Sequence, residues 1–152
     1  MSIKRAFTVA AAAAALTVLV APLSSASAAE SGGQPAKAPR LAAADGRLHV
    51  YTQPNGGGNT CSWLGNADSW GSCRNLVSDI WNNGYAGGND AVDLYWGLNA
   101  TGAHACISQG DRWPDLTTGR YHFTYDSGKP GFGDSLNNNV SSHRWVDYCS
   151  QG

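Results

Sequence analysis

Two segments of the chain repeat one hairpin-like pattern, and this repeat limits the possible folds more than any other feature. In each segment a Tyr is followed at plus five by a small residue and at plus seven by Gly, starting from Tyr51 and from Tyr95. Later in each half the pattern Asn-x-Val-Ser precedes a Trp, once at residues 75–78 and once at residues 138–141. The shared order predicts two similar units packed face to face.

Short extended runs bounded by Gly, Asn, Asp or Pro predict that both units are built from β-strands. The runs cover residues 48–51, 60–63, 77–81, 91–96, 103–108, 120–125 and 141–148. Apolar residues are not sustained at helical spacing after the first 28 residues, so the pattern favours a sandwich or barrel. Trp81, Trp96 and Trp145 fall on predicted strands, and we expect them to fill the core between two sheets.

The N-terminal residues have the composition of a secretory signal peptide. Lys4 and Arg5 precede an apolar run from Ala6 to Val20, and Ala26-Ser27-Ala28 provides a small-residue cleavage site. A membrane anchor is the competing interpretation, but the run is shorter than the ~20 residues that a spanning helix needs. We therefore predict a secreted protein with a signal peptide at 1–28, a flexible spacer or pro-segment at 29–46 and one domain at 47–152.

Charge makes nucleic acid and anionic membranes poor candidates as partners of the exported part. From Arg47 onward the chain has six basic and nine acidic side chains, a net charge of −3, and the basic residues are not clustered. We expect no nucleic acid, no membrane contact after signal cleavage, and a monomer.

Four cysteines lie in the exported part, and their even number predicts two disulfides. Cys61, Cys73, Cys106 and Cys149 lack the two-residue spacing of a zinc knuckle. Three pairings are possible. We prefer Cys61 with Cys73, because the residues between them read as a loop, and Cys106 with Cys149; a peptide map linking Cys61 elsewhere would overturn this choice.

No arrangement of residues predicts catalysis, so we expect no catalytic residues. The four histidines, His49, His104, His122 and His143, lie on separate runs and are interpreted as structural hydrogen-bonding groups. Asp111 and Asp115 form the only close acidic pair, and their Pro-containing setting indicates a turn and not a glycosidase site.

The stretch SLNNNVSSHRW, residues 135–145, concentrates amide and hydroxyl oxygens in one turn before a predicted strand. Read as Asn-Asn-x-x-Ser-Ser from Asn137 to Ser142, it resembles the loop signature of βγ-crystallin domains, and the resemblance covers about Arg47 to Cys149. It implies an all-β, disulfide-tied sandwich of two Greek-key motifs. It also implies a calcium site at Asn137, Asn138, Ser141 and Ser142.

Two interpretations of this loop stay open. Calcium prefers about six to eight oxygens, and tight sites use several carboxylates, whereas this loop is nearly neutral. Its side chains either form a weak calcium site or hydrogen-bond the backbone of the turn itself. The corresponding first loop has Arg74 and Asp79 in place of Asn and Ser, which departs from the family pattern. We expect no cofactor to be required.

The signal peptide, the paired cysteines and the sequence GKPGFGDSLNNNVSSHRW are together similar to secreted proteins grouped with the Streptomyces metalloproteinase inhibitor. This resemblance implies inhibition of an extracellular peptidase of the thermolysin type. Candidate contact residues stand in loops rich in Gly, Asn or Pro: Tyr85, Trp70, Trp113 and Lys129. The alternatives are a calcium-binding structural or stress module, and a secreted antifungal or toxin-like protein whose Trp70 and Trp113 bind cell-wall glycan.

Overall fold

Seven β-strands form two antiparallel sheets in the part of the chain that the computed structural model describes, residues 43–149. The strands are β1 Arg47–Gln53, β2 Gly57–Trp63, β3 Asp79–Asn83, β4 Ala91–Tyr95, β5 His104–Ile107, β6 Arg112–Trp113 and β7 Ser142–Val146. Four short 3-10 turns lie between them at Pro54–Gly56, Gly71–Cys73, Leu98–Ala100 and Leu116–Thr118. The predicted signal peptide and residues 29–42 of the predicted spacer lie outside the described residues.

The order of the strands is that of two Greek keys that exchange strands. One sheet has the order β2-β1-β3-β6 and the other β5-β4-β7, so β6 from the second half completes the sheet of the first half. In return, Ala67 from the first half forms a two-way backbone bridge to His143 in β7. The protein is therefore an all-β, βγ-crystallin-like Greek-key sandwich, as predicted.

The two halves are related residue by residue at the loops that close them. The amide of Asn75 donates to the carbonyl of Val140, and the amide of Asn138 donates to the carbonyl of Val77, each at 3.0 Å. Both Asn residues adopt the left-handed conformation, with φ of 57° and 59°. Since Asn tolerates this region better than most residues, the repeated Asn has a conformational cause.

The small residue at plus five of each hairpin has the same explanation. Gly56 and Ala100 both have positive φ, 79° and 56°, at the corner between the paired strands. A large or β-branched side chain is strained in this region, which accounts for the small residues that the sequence pattern requires there.

The hydrophobic core lies between the sheets and is filled by residues that alternate along the strands and by loop residues. Fully buried members from the strands are Leu48, Val50, Ile80, Val92, Leu94 and Ile107, and those from the later loops are Leu116, Phe123, Leu136 and Val140. Cys61–Cys73 and Cys106–Cys149 are disulfide-bonded, which confirms the preferred pairing. None of the described residues belongs to a helix long and apolar enough to cross a membrane.

The predicted strand at residues 120–125 is wrong. The backbone of this segment hydrogen-bonds to two different parts of the chain. The amide of Tyr125 donates to the carbonyl of His104, and the amide of Phe123 donates to the carbonyl of Asp134. Only isolated bridges result, so no ladder forms. The strand that completes the first sheet is β6, two residues long, which the sequence pattern did not single out.

The predicted placement of two Trp residues in the core is also wrong. Trp96 is 38% exposed, and Trp81 projects from the outer face of β3, where it stacks on His49. In β3, alternation turns Trp81 outward and gives the buried position to Ile80. Trp96 lies one residue beyond the end of β4, and its ring contacts the backbone of Gly131. Trp145 does pack against the core.

Candidate functional site

The oxygens of the predicted calcium loop already take part in hydrogen bonds with the protein. Asn137 Oδ1 accepts from the hydroxyl of Ser78 at 2.7 Å. Ser142 Oγ donates to the carbonyl of Gly97 at 2.6 Å and accepts from the amide of Ala100 at 3.0 Å. These bonds fasten the loop to the hairpin of its own half and to the loop of the other half.

Ser141 is in direct contact with a cation. Its Oγ accepts from Nε of Arg74 at 3.2 Å and donates to Oδ1 of Asn75 at 3.0 Å. A guanidinium group at this distance repels a second cation, and the loop contributes no carboxylate that would offset the repulsion. Within residues 43–149, moreover, no group of three or more His, Cys, Asp or Glu side chains is arranged to hold a metal ion. These contacts favour the second interpretation, in which the side chains of Asn137, Ser141 and Ser142 hydrogen-bond the protein itself.

We expect calcium to leave the melting temperature of the protein unchanged. A site with a dissociation constant of about 1 mM would add about 1.4 kcal/mol of stability at 10 mM calcium, which corresponds to a Tm increase of about 6 °C or more. Thermal unfolding in 10 mM CaCl2 and in 10 mM MgCl2 is the measurement. A rise in Tm with calcium alone, abolished in Asn138→Ala, would contradict this expectation.

The equivalent position of the first half carries a buried ion pair. Asp79 is fully buried, and its carboxylate accepts from Nη2 of Arg112 at 2.6 Å and from Nε at 3.2 Å. The amide of Gly56 also donates to Asp79, at 2.6 Å. The hydrogen bonds to this carboxylate raise the pKa of the Arg112 guanidinium above its already high value. The guanidinium thus supplies a built-in positive charge at this loop.

An open pocket of about 350 Å³ lies at one end of the sandwich and is the strongest candidate for a binding site. Its wall includes Tyr85, which is 66% exposed, Leu64, which is 63% exposed, and Trp145. Gly46, Gly65, Asn66, Gly88 and Asn89 complete the lining. The pocket therefore combines large apolar groups with amide hydrogen-bonding groups, as ligand pockets usually do.

The aromatic rings of this pocket approach the backbone closely at two glycines. A Cβ on Gly46 would lie 2.6 Å from the ring of Tyr85, and a Cβ on Gly84 would lie 2.7 Å from the ring of Trp145. Gly46 has a positive φ of 80° as well, so any other residue there would be both strained and in collision. These contacts hold the two rings in position before any ligand binds.

Hydrogen bonds hold the loop that carries Tyr85. The amide of Gly84 donates to Oδ1 of Asn82, and the carbonyl of Gly84 accepts from Nε2 of Gln109. At the far end of the loop, the amides of Gly87 and Asn89 donate to the carboxylates of Asp90 and Asp147, both at 2.9 Å. The loop is thus preorganised, which reduces the conformational entropy lost on binding.

Trp145 contributes a polar group whose partner is missing. Its Nε1 is buried and has no hydrogen-bond partner among the described residues. An unsatisfied buried donor costs about 1–3 kcal/mol. Trp145 was predicted as a core residue only, and its place in the pocket wall was not foreseen.

Trp70 was predicted as a partner-binding residue, and its burial shows that this prediction is wrong. The indole is 2% exposed, stacks on Trp63 with ring centroids 5.3 Å apart, and donates from Nε1 to Nδ1 of His143 at 2.8 Å. Trp70 lies between Ser69 and Gly71, so its segment resembles an exposed loop in sequence. In the structure, the backbone amide of Trp70 donates to the carbonyl of Ser141 and holds the segment against the second half. Trp70 therefore joins the halves and presents no surface to a partner.

The other predicted contact residues do lie at the surface, in places apart from the Tyr85 pocket wall. Trp113 is half-buried in β6 and stacks on Tyr121, with centroids 4.9 Å apart. Lys129 is exposed in a turn whose next residue, Pro130, accepts from the amide of Ala103. Gly131 then packs directly on the ring of Trp96. The structure does not bring these two residues together with Tyr85 in one pocket wall.

One cluster of titratable groups lies on the outer face of the second sheet. The imidazole of His104 stacks on Tyr125, and its nitrogens lie 3.1 Å from Asp126 and 3.8 Å from Asp93. Burial raises the pKa of Asp93 above its usual range, and burial together with the nearby carboxylate of Asp93 raises the pKa of Tyr95 to about 12. Because rings cover the imidazole and both its nitrogens face carboxylates, the cluster ties the Tyr125–Asp126 turn to the sheet.

Sequence reasoning identified Tyr85 but missed Leu64, the second exposed apolar residue of the pocket. The sequence did contain a signal of exposure at this position. Leu64 is followed by Gly65 and Asn66, and Gly and Asn neighbours were also the reason for selecting Tyr85. Asp115, interpreted as a turn residue, does accept hydrogen bonds at Oδ1 from the amide and hydroxyl of Thr117.

Comparison with known proteins gives matches among solved structures, several of which are βγ-crystallin domains. No protein-family model and no curated protein sequence matches the chain. A βγ-crystallin from Ciona intestinalis aligns at 11% identity over 66% of this chain and 99% of its own, with a TM-score of 0.47. Spherulin 3a from Physarum polycephalum aligns at 19% identity over 70% and 88%, with a TM-score of 0.44.

A third match is a domain from work on the evolution of the eye-lens βγ-crystallin fold. It has 18% identity, a TM-score of 0.49, and coverage of 68% of this chain and 88% of its own. The βγ-crystallin-like fold of this protein rests on its own strand order and strand exchange. Membership of the metalloproteinase-inhibitor family stays a prediction.

Proposed function

We propose that this protein is a secreted, non-catalytic binding protein that contacts a protein partner through the Tyr85 pocket. The observation that carries the proposal is the pairing of two large, exposed apolar side chains, Tyr85 and Leu64, around a pocket of about 350 Å³. Protein interfaces are enriched in Tyr at their centres, and a pocket beside such a residue accepts a side chain from the partner.

The target class that we propose is an extracellular peptidase. The resemblance of the sequence to secreted peptidase inhibitors and the predicted signal peptide support this proposal, and so do the two disulfides, which suit an oxidising compartment. A rigid loop loses little entropy when it enters an enzyme cleft, and the Tyr85 loop is anchored at both ends. Lys129, exposed in its own turn, is the second contact that we propose.

A panel of extracellular metallo- and serine peptidases, assayed with micromolar mature protein, tests the proposal. We expect inhibition of at least one member, and a rise of about 30-fold in the inhibition constant for Tyr85→Ala, which corresponds to about 2 kcal/mol for a central interface residue. Leu64→Ala should weaken inhibition in the same direction.

Tyr148→Ala is the matched control, because Tyr148 is 70% exposed and does not line the pocket. We expect this variant to inhibit like the original protein. Full activity of every peptidase in the panel would refute the peptidase as target. Equal losses in the Tyr85 and Tyr148 variants would refute the pocket as the contact site.

Calcium is not part of the function that we propose. The cation at the first loop is Arg112, bound to Asp79, and the hydroxyl of Ser141 in the second loop is bound to Arg74. A structural or stress role on this scaffold would therefore proceed without calcium at these loops. The alternative function, binding of cell-wall glycan, relied on Trp70 and Trp113. Of these two residues, Trp113 is half-buried and reaches the surface, whereas Trp70 is buried.

A further inference from the structure

Two clefts that have no lining residue in common with the Tyr85 pocket share the residues Arg120 and Tyr121. The first has a volume of about 430 Å³ and is lined by Pro114, Asp115, Thr118, Arg120 and Tyr121. The second, of about 200 Å³, also contains Trp113, Thr124 and Tyr125 in its wall. Since Arg120 and Tyr121 line both, the clefts adjoin at these two residues, and we call the two clefts together the Tyr121 groove.

Aromatic rings form much of the wall of the Tyr121 groove and are fixed by stacking. Trp113 and Tyr121 are nearly parallel, at 22°, with centroids 4.9 Å apart. Tyr125 is held against His104 at 4.8 Å. Trp113 and Tyr121 are partly buried and also pack against the hydrophobic core, which holds them in place from below. Such rings give rigid apolar contact area at a small cost in side-chain entropy.

The polar groups of the groove include both hydrogen-bond donors and acceptors. Arg120 is exposed, lies over the ring of Tyr121 at 5.8 Å, and makes no hydrogen bond or ion pair with another described residue. Its guanidinium therefore has five N–H donors available. Asp115, Thr118 and Thr124 are the lining residues that carry side-chain oxygens.

This mixture favours a ligand of hydroxyl groups and C–H faces over a polyanion. A hydroxyl both donates and accepts, so it can pair with a guanidinium and with a carboxylate in one groove. Strong binding of a nucleic acid requires several cations along its path. Arg120 and His122 are the basic residues of the two cleft walls, and Asp115 offsets part of their charge.

We infer that the Tyr121 groove binds a neutral polysaccharide of pyranose units. The partly positive C–H bonds of the sugar ring contact the electron-rich aromatic walls, while Arg120 and the neighbouring oxygens pair with sugar hydroxyls. The inference stands on residues that the Tyr85 pocket does not use, so it is independent of the peptidase proposal.

Affinity electrophoresis tests this inference, with native gels that contain laminarin, a neutral β-glucan, or hydroxyethyl cellulose. We expect at least one of the two polymers to retard the mature protein, and 0.5 M NaCl to leave the binding unchanged, since no ion pair is required. Arg120→Ala should weaken retardation at least tenfold in the polymer concentration needed. Trp113→Phe, which keeps an aromatic ring and the fold, should weaken it less.

Arg47→Ala is the matched control, because Arg47 lies on β1 and does not line the groove. Melting temperatures of all variants establish that they are folded. No retardation in either polymer would overturn the inference, as would equal weakening by Arg47→Ala and Arg120→Ala. Binding to single-stranded DNA that salt abolishes, without binding to either glucan, would assign the groove to a polyanion and also overturn it.

Discussion

Replacing Arg112 by Met will destabilise the protein by about 3 kcal/mol, because the fully buried carboxylate of Asp79 then loses its only cationic partner among the described residues. Breaking a buried ion pair from one side costs about 3–5 kcal/mol. We take the lower limit, since 38% of the Arg112 side chain is exposed and water can replace part of the interaction. Urea unfolding at pH 7 measures the loss, and Tm should fall by about 12 °C or more.

Arg144→Met is the matched control for this prediction. Arg144 pairs with Asp68, whose side chain is 71% exposed, and exposed ion pairs contribute about 0–1 kcal/mol. In the double variant Asp79→Asn with Arg112→Met, the buried group is neutral and still accepts from Gly56, so much of the stability should return. Equal losses for Arg112→Met and Arg144→Met would show that burial of Asp79 does not determine the cost.

His143→Gln will remove a large part of the acid sensitivity of the fold. In the folded protein the pKa of His143 is lowered from 6.5 to about 4, chiefly by burial and to a lesser extent by the nearby charge of Arg144, while the hydrogen bond to Gly65 opposes the shift. Nδ1 accepts from the indole of Trp70 and Nε2 donates to the carbonyl of Gly65, so the neutral ring has both nitrogens satisfied. A proton on Nδ1 would break the bond to Trp70.

The pH range follows from this lowered pKa. Between pH 6.5 and pH 4 the unfolded chain binds a proton at His143 that the folded chain does not, so falling pH favours unfolding. The contribution is fully present above pH 6.5, and about 3 kcal/mol of it is lost by pH 4.

Glutamine can accept from Trp70 and donate to Gly65 without titrating, so the variant isolates this proton. Urea unfolding at pH 7, 6, 5 and 4 should show stability falling by about 3 kcal/mol more in the original protein than in His143→Gln. His122→Gln is the comparison variant, because it removes a histidine whose nitrogens contact the carbonyls of Gly119 and Gly133 and not the indole of Trp70. Parallel pH profiles for the original protein and His143→Gln would contradict the prediction.

Much of the fold could be predicted from the sequence, because each half of the fold requires the same residue types at the same backbone positions. The left-handed Asn75 and Asn138, and the small residues Gly56 and Ala100 at positive φ, are backbone requirements that leave a residue signature at the same place in each half. The disulfide pairing could also be predicted, because the residues between Cys61 and Cys73 read as a loop that this bond closes. The two-motif sandwich therefore followed from the repeat.

Side-chain burial in loops was much less readable. Trp70 stands beside Ser and Gly and was expected at the surface, yet the exchange of strands between halves places it against His143, 73 positions later in the chain. Arg112 stood out only as part of a turn, although it pairs with Asp79 across β3 and β6. Such partners are set by tertiary contacts, which local composition does not encode.

In the pocket and the groove, individual aromatic residues could be predicted from the sequence, whereas their contacts could not. Tyr85 could be selected as an exposed aromatic, but the closeness of its ring to Gly46 depends on how the start of β1 lies beside the loop. The stack of Trp113 on Tyr121 likewise depends on the irregular segment at 120–125, for which a regular strand was predicted.

The exchange of β6 and the Ala67 bridge has a consequence for how this molecule can be assembled and divided. A fragment ending within the Tyr85 loop would lack the outer strand of its own sheet and would leave the edge of β3 without its backbone partner. Neither motif is then a self-sufficient module, so the repeat behaves as a single cooperative unit. A protease cut in that loop would yield two pieces held together by the β3–β6 pairing and the Ala67–His143 bridge. Separating the pieces would unfold both.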